Sequence, residues 1–190
     1  MKRGEDTRTL ILEQSVKFLS EGGPGLVSLR RIGQGSGIVQ SAVYHHFTNK
    51  NELLEATFAY AGRTLGLRRA DVPQVLSTRE FLIQRIEFQF DNADLIVALL
   101  KYFVYRRQTF PEITGGGYVP PQAYQHIVEV IERGNAAGDW DIKTVTTDAK
   151  VVVHAINGFI LEYYPSMPSQ EHRKVLIESI ANFVWRALAN

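Results

Sequence analysis

The stretch RRIGQGSGIVQSAVYHHF, from Arg30 to Phe47, decides the fold because it carries glycine at three alternate positions, Gly33, Gly35 and Gly37. Glycines at this density are typical of a loop that cradles phosphate, or of a helix that ends, turns and begins again. The first alternative predicts a sheet with a nucleotide site, and the second predicts a helical protein. The flanking residues separate the two.

The flanking sequence does not favour a phosphate-binding loop. A dinucleotide fingerprint has the spacing Gly-x-Gly-x-x-Gly between a strand and a helix, and a parallel strand follows. Here the spacing is Gly-x-Gly-x-Gly, and no strand pattern follows Ser28–Ile32. The Gly-Lys-Ser/Thr of a P-loop is also absent.

A helix-turn-helix explains the same residues better. A short helix fits Leu29–Gln34, with Ser28 as its N-cap, and a second short helix fits Gln40–His46. Gly37 lies where the first helix must end, and glycine adopts the left-handed conformation of such a turn at little cost. The second helix is then the one that enters the major groove of DNA.

The residue types of the second helix suit a duplex. Gln40 can bond adenine through two hydrogen bonds, and Ala42 can touch a thymine methyl group. Three further side chains can reach phosphates or base edges, namely Ser41, Tyr44 and His45. Lys50 opens the next helix, whose first backbone N–H groups also favour a phosphate.

Three residues of this helix have alternative interpretations. Tyr44 could pack in the core of a small domain, although its hydroxyl needs a polar partner. The neighbours His45 and His46 invite a metal site, but adjacent residues on a helix face different ways. We therefore expect no metal there.

Charge and composition agree with a local anionic partner. The 190-residue chain has a net charge of +1. Residues 1–50 carry seven basic and four acidic groups, a net of +3, and the remainder carries a net of −2. Cysteine is absent, which excludes disulfides and thiolate chemistry. The start, MKRGEDTRTLILEQ, lacks the apolar run of a signal peptide, so we expect a cytoplasmic protein without membrane segments.

The rest of the chain also has helical spacing and no strand pattern. Asn49-x-x-Glu52 predicts a capping box at the start of a long helix, and Thr78 is the predicted cap of the next. A loop is predicted over Thr109–Pro121 from its glycines and prolines. The predicted helices are Lys50 to Arg69, one from Thr78, Leu95–Arg107, Gln122–Ala137, Thr147–Tyr164 and Ser169–Ala189.

The last two of these helices carry more apolar side chains than one buried face can cover. Apolar side chains surround the first almost completely between Val151 and Leu161, and they form a wide face on the second between Leu176 and Leu188. A helix that is apolar all round needs cover on more than one side. A second copy of the chain is the cover that we predict, and an ordinary buried core helix is the alternative.

A ligand pocket is predicted from polar side chains on apolar helices, because burial of a polar group requires a partner. Most of the aromatic residues nearby can equally be core, and an arginine can equally pair with an acidic neighbour. The predicted ligand-binding residues are Arg85, Phe88, Tyr102, Phe103, Arg106, His154 and Phe159.

Residues 7–57 resemble the DNA-binding domain of the tetracycline-repressor (TetR) family. The resemblance rests on Gly23, Ser28, Ile32, Gly37 and the pattern Val43-Tyr44-x-x-Phe47-x-x-Lys50-x-x-Leu53. It implies an all-α homodimer with an N-terminal three-helix helix-turn-helix domain, residues 1–49, and a larger helical effector-binding and dimerisation domain, residues 50–190. It also implies a repressor that leaves a palindromic operator when a small, largely apolar ligand binds. On this resemblance the DNA-binding residues are Arg30, Gln40, Ser41, Ala42, Tyr44, His45, His46 and Lys50.

Four positions depart from the family pattern. The family commonly has alanine where this chain has Gly33, small helix formers at Gly35 and Ser36, and serine or threonine at Val39. A glycine inside a helix costs up to about 1 kcal/mol relative to alanine, and the loss of a hydroxyl cap costs about as much. The sequence predicts no function for Gly33 or Gly35.

Two other classes of protein agree less well with the sequence. An enzyme is not predicted, because the chain has no nucleophile–base pairing, metal-ligand spacing or paired-carboxylate motif, and it carries no cofactor motif. A dimeric helical interaction module, or a ligand-binding protein without DNA-regulatory activity, is the alternative function.

Overall fold

The computed structural model describes residues 2–70, 77–110 and 123–189, which form nine α-helices and contain no strand. The predicted all-α fold class is confirmed. No helix among the described residues has the length and apolar character needed to cross a membrane. The helices are α1 (Lys2–Gly22), α2 (Leu29–Ser36), α3 (Gln40–His46), α4 (Lys50–Ala70), α5 (Thr78–Asp91), α6 (Ala93–Thr109), α7 (Gln125–Ala137), α8 (Val145–Tyr163) and α9 (Gln170–Ala189).

The chain divides into two compact units, Met1–Ala70 with Asp94–Gly117, and Asp71–Ala93 with Tyr118–Asn190. The first contains α1 to α4 and nearly all of α6, and the second contains α5 and α7 to α9. The domain boundary between residues 49 and 50 stays a prediction. Residues 111–122, which hold nearly all of the predicted loop, lie outside the described residues.

The core of the first unit forms where α1 packs against α2, α3 and α4. Its buried side chains recur at helical spacing on each element, as an amphipathic helix requires. They include Ile11, Leu12, Val16 and Leu19 of α1, Ile32 of α2, Val43 of α3, and Leu53 and Leu54 of α4. Leu95, Ala98 and Tyr102 of α6 complete the same core.

A lysine of α6 also secures the end of α1. The Lys101 ammonium donates hydrogen bonds to the backbone oxygens of Ser20 and Glu21, the latter at 3.0 Å. These carbonyls belong to the last turn of α1, where the helix has no further N–H groups of its own to offer. A cation at this end also opposes the negative pole of the helix dipole.

The cap of α4 differs in one bond from the predicted box. The Asn49 side chain accepts from the Glu52 amide at 2.9 Å, as predicted. The Glu52 carboxylate, however, accepts from the amide of Thr48 at 2.8 Å and from its hydroxyl at 2.7 Å, rather than from the Asn49 amide. The Thr48 hydroxyl offers a second donor, which explains why the carboxylate bonds to Thr48 instead of Asn49. These bonds hold the pKa of Glu52 below its ordinary value.

The predicted cap of α5 was wrong by one residue. The cap is Ser77, whose hydroxyl accepts from the Glu80 amide at 3.3 Å, while the Glu80 carboxylate accepts from the Ser77 amide at 2.8 Å. Thr78 is the first residue of the helix and is buried. The spacing Ser-x-x-Glu forms the reciprocal box, and threonine at position 78 has no acidic partner three residues later.

The second unit is built around α5, which packs against α7, α8 and α9. Trp140, which follows α7, is buried and donates its indole N–H to the backbone oxygen of Ile131 at 2.9 Å. Its ring meets that of Trp185 on α9 edge to face, with centroids 5.0 Å apart. This aromatic pair joins α9 to the end of α7.

Candidate nucleic-acid interface

The geometry of α2, the turn and α3 confirms the predicted helix-turn-helix. Ser28 caps α2 by accepting from the Arg31 amide at 3.2 Å. Gly37 follows α2 with φ of +68°, the left-handed conformation that glycine adopts most cheaply. The α3 helix packs against α2, and Val43 anchors it in the core.

The opposite side of α3 faces solvent. Tyr44 is 51% exposed, so it does not pack in the core, which was the alternative for this residue. The other predicted DNA-binding residues also lie at the surface. Arg30, Gln40, Ser41 and His45 are exposed, and Ala42, His46 and Lys50 are partly exposed.

The start of α4 carries one positive and one negative side chain. Lys50 is its first residue, and Glu52 lies in its first turn. The Glu52 amide is occupied by Asn49, so it is not available to a phosphate. The Lys50 side chain at the same helix end stays a predicted phosphate contact.

His46 lies in a positive environment. Its ring is 5.5 Å from that of His45, between centroids, and the Arg8 guanidinium lies 5.2 Å from the centroid of the adjacent Phe47 ring. Partial burial, followed by the positive charges of His45 and Arg8, lowers the pKa of His46 below 6.5. A nearby phosphate would raise the pKa of His46, since a negative charge favours the charged imidazole.

This lowered pKa predicts a pH dependence of stability in the absence of DNA. Between the lowered folded pKa and 6.5, the unfolded chain binds more protons than the folded chain, so the free energy of unfolding falls as the pH falls through this range. Urea unfolding at a series of pH values measures the slope. We expect His46→Gln to reduce it and His45→Gln to reduce it less. An unchanged slope in His46→Gln would contradict the assignment.

Close packing gives Gly33 and Gly35 a structural role that the sequence pattern did not predict. A Cβ atom at Gly33 would lie 3.2 Å from the backbone oxygen of Ile38 and 3.5 Å from the Cα of Gln40. A Cβ atom at Gly35 would lie 2.8 Å from the Phe18 ring. Gly33 lets α2 approach the start of α3, and Gly35 lets it approach α1. No local signal reveals such contacts.

The predicted ligand-binding residues fall in both units. Tyr102, Phe103 and Arg106 lie on α6 in the first unit. The other four lie in the second, Arg85 and Phe88 on α5, and His154 and Phe159 on α8.

In the first unit, Tyr102 and Arg106 line a cleft of about 230 Å³ between α4 and α6. The Arg106 guanidinium lies 3.4 Å from the Glu55 carboxylate, which is the acidic pairing that the sequence left open. Burial, followed by the hydrogen bond and charge of Glu55, raises the pKa of Tyr102, so its phenol stays protonated. Phe103 lies outside this lining and meets the Phe58 ring edge to face.

In the second unit, Arg85 is only 1% exposed. Its guanidinium donates to the Glu129 carboxylate at 3.1 Å and lies 4.4 Å from the centroid of the Phe81 ring. The predicted His154 and Phe159 are exposed, and a ring nitrogen of His154 lies 2.6 Å from the backbone oxygen of Lys150. Ligand pockets are usually enclosed, whereas these two side chains face solvent. Their contact with a ligand stays a prediction.

The α5–α7 contact also contains polar residues that sequence reasoning missed. Arg133 of α7 lies 4.9 Å from the centroid of the Phe81 ring, and Glu129 of α7 pairs with Arg85. The two helices are therefore antiparallel at this contact. Gln89 and His126 are buried about one turn beyond the Arg85 pair on the same helices. The four-residue spacing of Arg85 and Gln89 was a readable signal for a shared face.

Comparison with known families identifies the helix-turn-helix. Residues 11–57 match the model of the bacterial regulatory proteins of the tetR family. The matched residues form a DNA-binding domain of the tetR type. The match includes all of α2 and α3, so this protein is a DNA-binding transcriptional regulator with a helix-turn-helix. No curated protein matches the chain in sequence.

Solved structures share the fold of this chain. The TetR-family regulator PfmR of Thermus thermophilus is 20% identical, with 93% of this chain and 97% of that chain covered and a TM-score of 0.64. FadR of Bacillus subtilis, solved with stearoyl-CoA, is 17% identical, with coverage of 96% and 97% and a TM-score of 0.64. A Saccharomonospora viridis protein solved with choline is 18% identical, with coverage of 95% and 94% and a TM-score of 0.69.

Proposed function

We propose that this regulator is a homodimeric repressor that binds a palindromic operator through α3 and leaves it when a small molecule binds. The observation that carries the proposal is the exposed polar side of α3, held by the Gly37 turn and by Val43 in the core. The N-terminal residues of a recognition helix contact base edges. Gln40 and Ala42 are accordingly the proposed base contacts, and the phosphate contacts are Arg30, Ser41, Tyr44, His45, His46 and Lys50.

Apolar side chains left exposed on α8 and α9 support the dimer. Ile156 and Ile160 of α8, like Ile180 and Val184 of α9, are buried within the chain. Other large apolar residues of the same two helices remain at the surface, namely Val151, Phe159, Leu161, Val175 and Phe183. We take these exposed apolar residues of α8 and α9 as an interaction site. A second copy presents the same surface, which gives a closed two-fold pair.

Gly158 also favours close contact at this surface. It is exposed on α8, and a Cβ atom added there would have no neighbour within 4 Å. Glycine on an exposed helix side lets a second helix approach closely. A two-fold dimer carries two recognition helices, so its operator is a palindrome with half-sites about 34 Å, one helical turn, apart.

The effector part of the proposal rests on the fold. FadR with stearoyl-CoA and the Saccharomonospora protein with choline show that relatives of this fold take small molecules with apolar parts. The proposed effector contacts are Arg85, Phe88, Tyr102, Phe103, Arg106, His154 and Phe159, and we propose a small, largely apolar ligand. The proposed location is the cytoplasm, with the DNA.

Selection of bound sequences from random duplexes tests the proposal. We expect a palindrome, and Gln40→Ala should relax the preference at one position of each half-site, at a cost of about 1 to 3 kcal/mol per bidentate contact. Lys50→Ala should weaken all sequences alike and reduce the salt slope by about one unit for each phosphate that is no longer neutralised.

Two results would count against these roles. An unchanged preference in Gln40→Ala contradicts its contact with a base. Failure to select any sequence at low salt favours the alternative, a dimeric interaction or ligand-binding protein without DNA-regulatory activity.

A further inference from the structure

The residue at the start of the recognition helix breaks a local rule. Val39 is the N-cap of α3, and its side chain makes no capping hydrogen bond, whereas Ser28 caps α2 in the usual way. Valine is among the poorest residues at this position, and serine or asparagine among the best. The side chain gains no burial in exchange, since Val39 is 69% exposed. The position therefore has neither a capping hydrogen bond nor the stabilisation that burial of an apolar side chain would give.

The surroundings of Val39 fix the position of its backbone. Its backbone oxygen accepts from the Ala42 amide at 2.9 Å, which ties the residue to the first turn of α3. The missing Cβ of Gly33 lets α2 press against the adjacent Ile38 oxygen and Gln40 Cα. A β-branched side chain has few rotamers. An apolar group with few rotamers is thus placed at the end of α3 that enters the groove.

We propose that Val39 reads a thymine by contact with its C5 methyl group, which adds an apolar specificity contact beside the polar one of Gln40. The thymine methyl is the apolar feature that a base pair presents in the major groove, and apolar side chains recognise it. Single exposed apolar residues are common on protein surfaces. This one replaces a favoured hydroxyl on the face that binds DNA, and sites that break a local rule in this way are characteristically functional. The inference rests on the proposed function.

Deoxyuridine scanning of the selected operator tests the contact. Each thymine of a half-site is replaced in turn by deoxyuridine, which lacks only the methyl group. We expect one replacement per half-site, besides any thymine that Ala42 contacts, to weaken wild-type binding about fourfold, the effect of losing one buried methyl-sized group. Val39→Ser should bind both duplexes equally at that position. A thymine that Ala42 contacts should keep its sensitivity in this variant.

Matched variants separate the contact from folding. Val39→Ser supplies the missing cap hydroxyl, so its melting temperature should not fall. Val104→Ser, at another exposed valine of the first unit, should retain the wild-type sensitivity. If Val39→Ser distinguishes thymine from uracil as the wild type does, the inference is wrong. It is also wrong if the variant weakens every duplex alike, which indicates a contact to the sugar–phosphate backbone, or if no thymine is sensitive. Absence of any sequence preference in the wild type overturns the proposed function itself.

Discussion

Gly134→Ala is expected to lower the free energy of unfolding of the second unit by about 3 kcal/mol, in line with overpacked cores and the loss of buried hydrogen bonds. A Cβ atom at this position of α7 would overlap the Cε2 and Cζ2 atoms of the Trp140 indole. No rotation of an alanine relieves that overlap, so the indole or the helix must move.

The indole cannot move without further loss. Trp140 is buried, and its N–H is bonded to the Ile131 oxygen. A displaced ring leaves that donor unpaired, which costs about 1 to 3 kcal/mol. It also separates Trp140 from Trp185, which lies against it edge to face. The higher helix propensity of alanine returns only about 1 kcal/mol.

Tryptophan fluorescence during urea unfolding measures this effect. The chain has two tryptophans, and both lie in the second unit. The matched control is Gly62→Ala on α4, where a Cβ atom has no neighbour within 4 Å. Circular dichroism should show that this control is stabilised by up to about 1 kcal/mol. If Gly134→Ala lowers the free energy of unfolding, relative to the wild type, no more than Gly62→Ala does, the predicted overlap is wrong.

Phe183→Glu is expected to separate the proposed dimer into monomers and to weaken operator binding on the order of 100-fold or more, because two linked recognition helices bind far better than one. Phe183 is 62% exposed on α9. A charge placed there would be buried without a partner when the second copy docks, and such burial is strongly unfavourable. Sedimentation velocity measures the association, and a duplex with both half-sites measures the affinity.

Two further variants sharpen this experiment. Val175→Glu changes a second α9 residue of equal exposure, 62%, and should also give monomers. Leu67→Glu changes an exposed leucine of α4, in the first unit, and should remain dimeric. Circular dichroism verifies that the variants fold. A Phe183→Glu protein that sediments as the wild type does would rule out α9 as the dimer surface.

Local sequence rules predicted the recognition element well. Ser28, Gly37 and the uncapped Val39 each act through neighbours within a few residues, so pattern and propensity suffice. The same rules failed at Thr78, where the adjacent Ser77 completes the capping box. Ser77, unlike Thr78, has a glutamate three residues later, and that pairing places the cap.

Long-range contacts were beyond this reasoning. The sequence predicted that a buried Arg85 needs a partner, but Glu129 is 44 residues away and only packing of α5 against α7 brings it near. Gly33 and Gly35 looked merely unfavourable, because the groups that approach them come from other elements. The ligand residues divided between two units for the same reason, since helical spacing does not specify which helices meet.

The Lys101 contacts bear on how this chain can be recombined with others. Its ammonium group binds the last turn of α1, which lies about 80 residues earlier in the sequence. The region that carries the family pattern is therefore shorter than the region that folds as one body. A chimaera that joins residues 11–57 to a foreign effector domain would leave the end of α1 without its lysine and the core without Leu95, Ala98 and Tyr102. Helix α6 must travel with the DNA-binding helices when such hybrids are built.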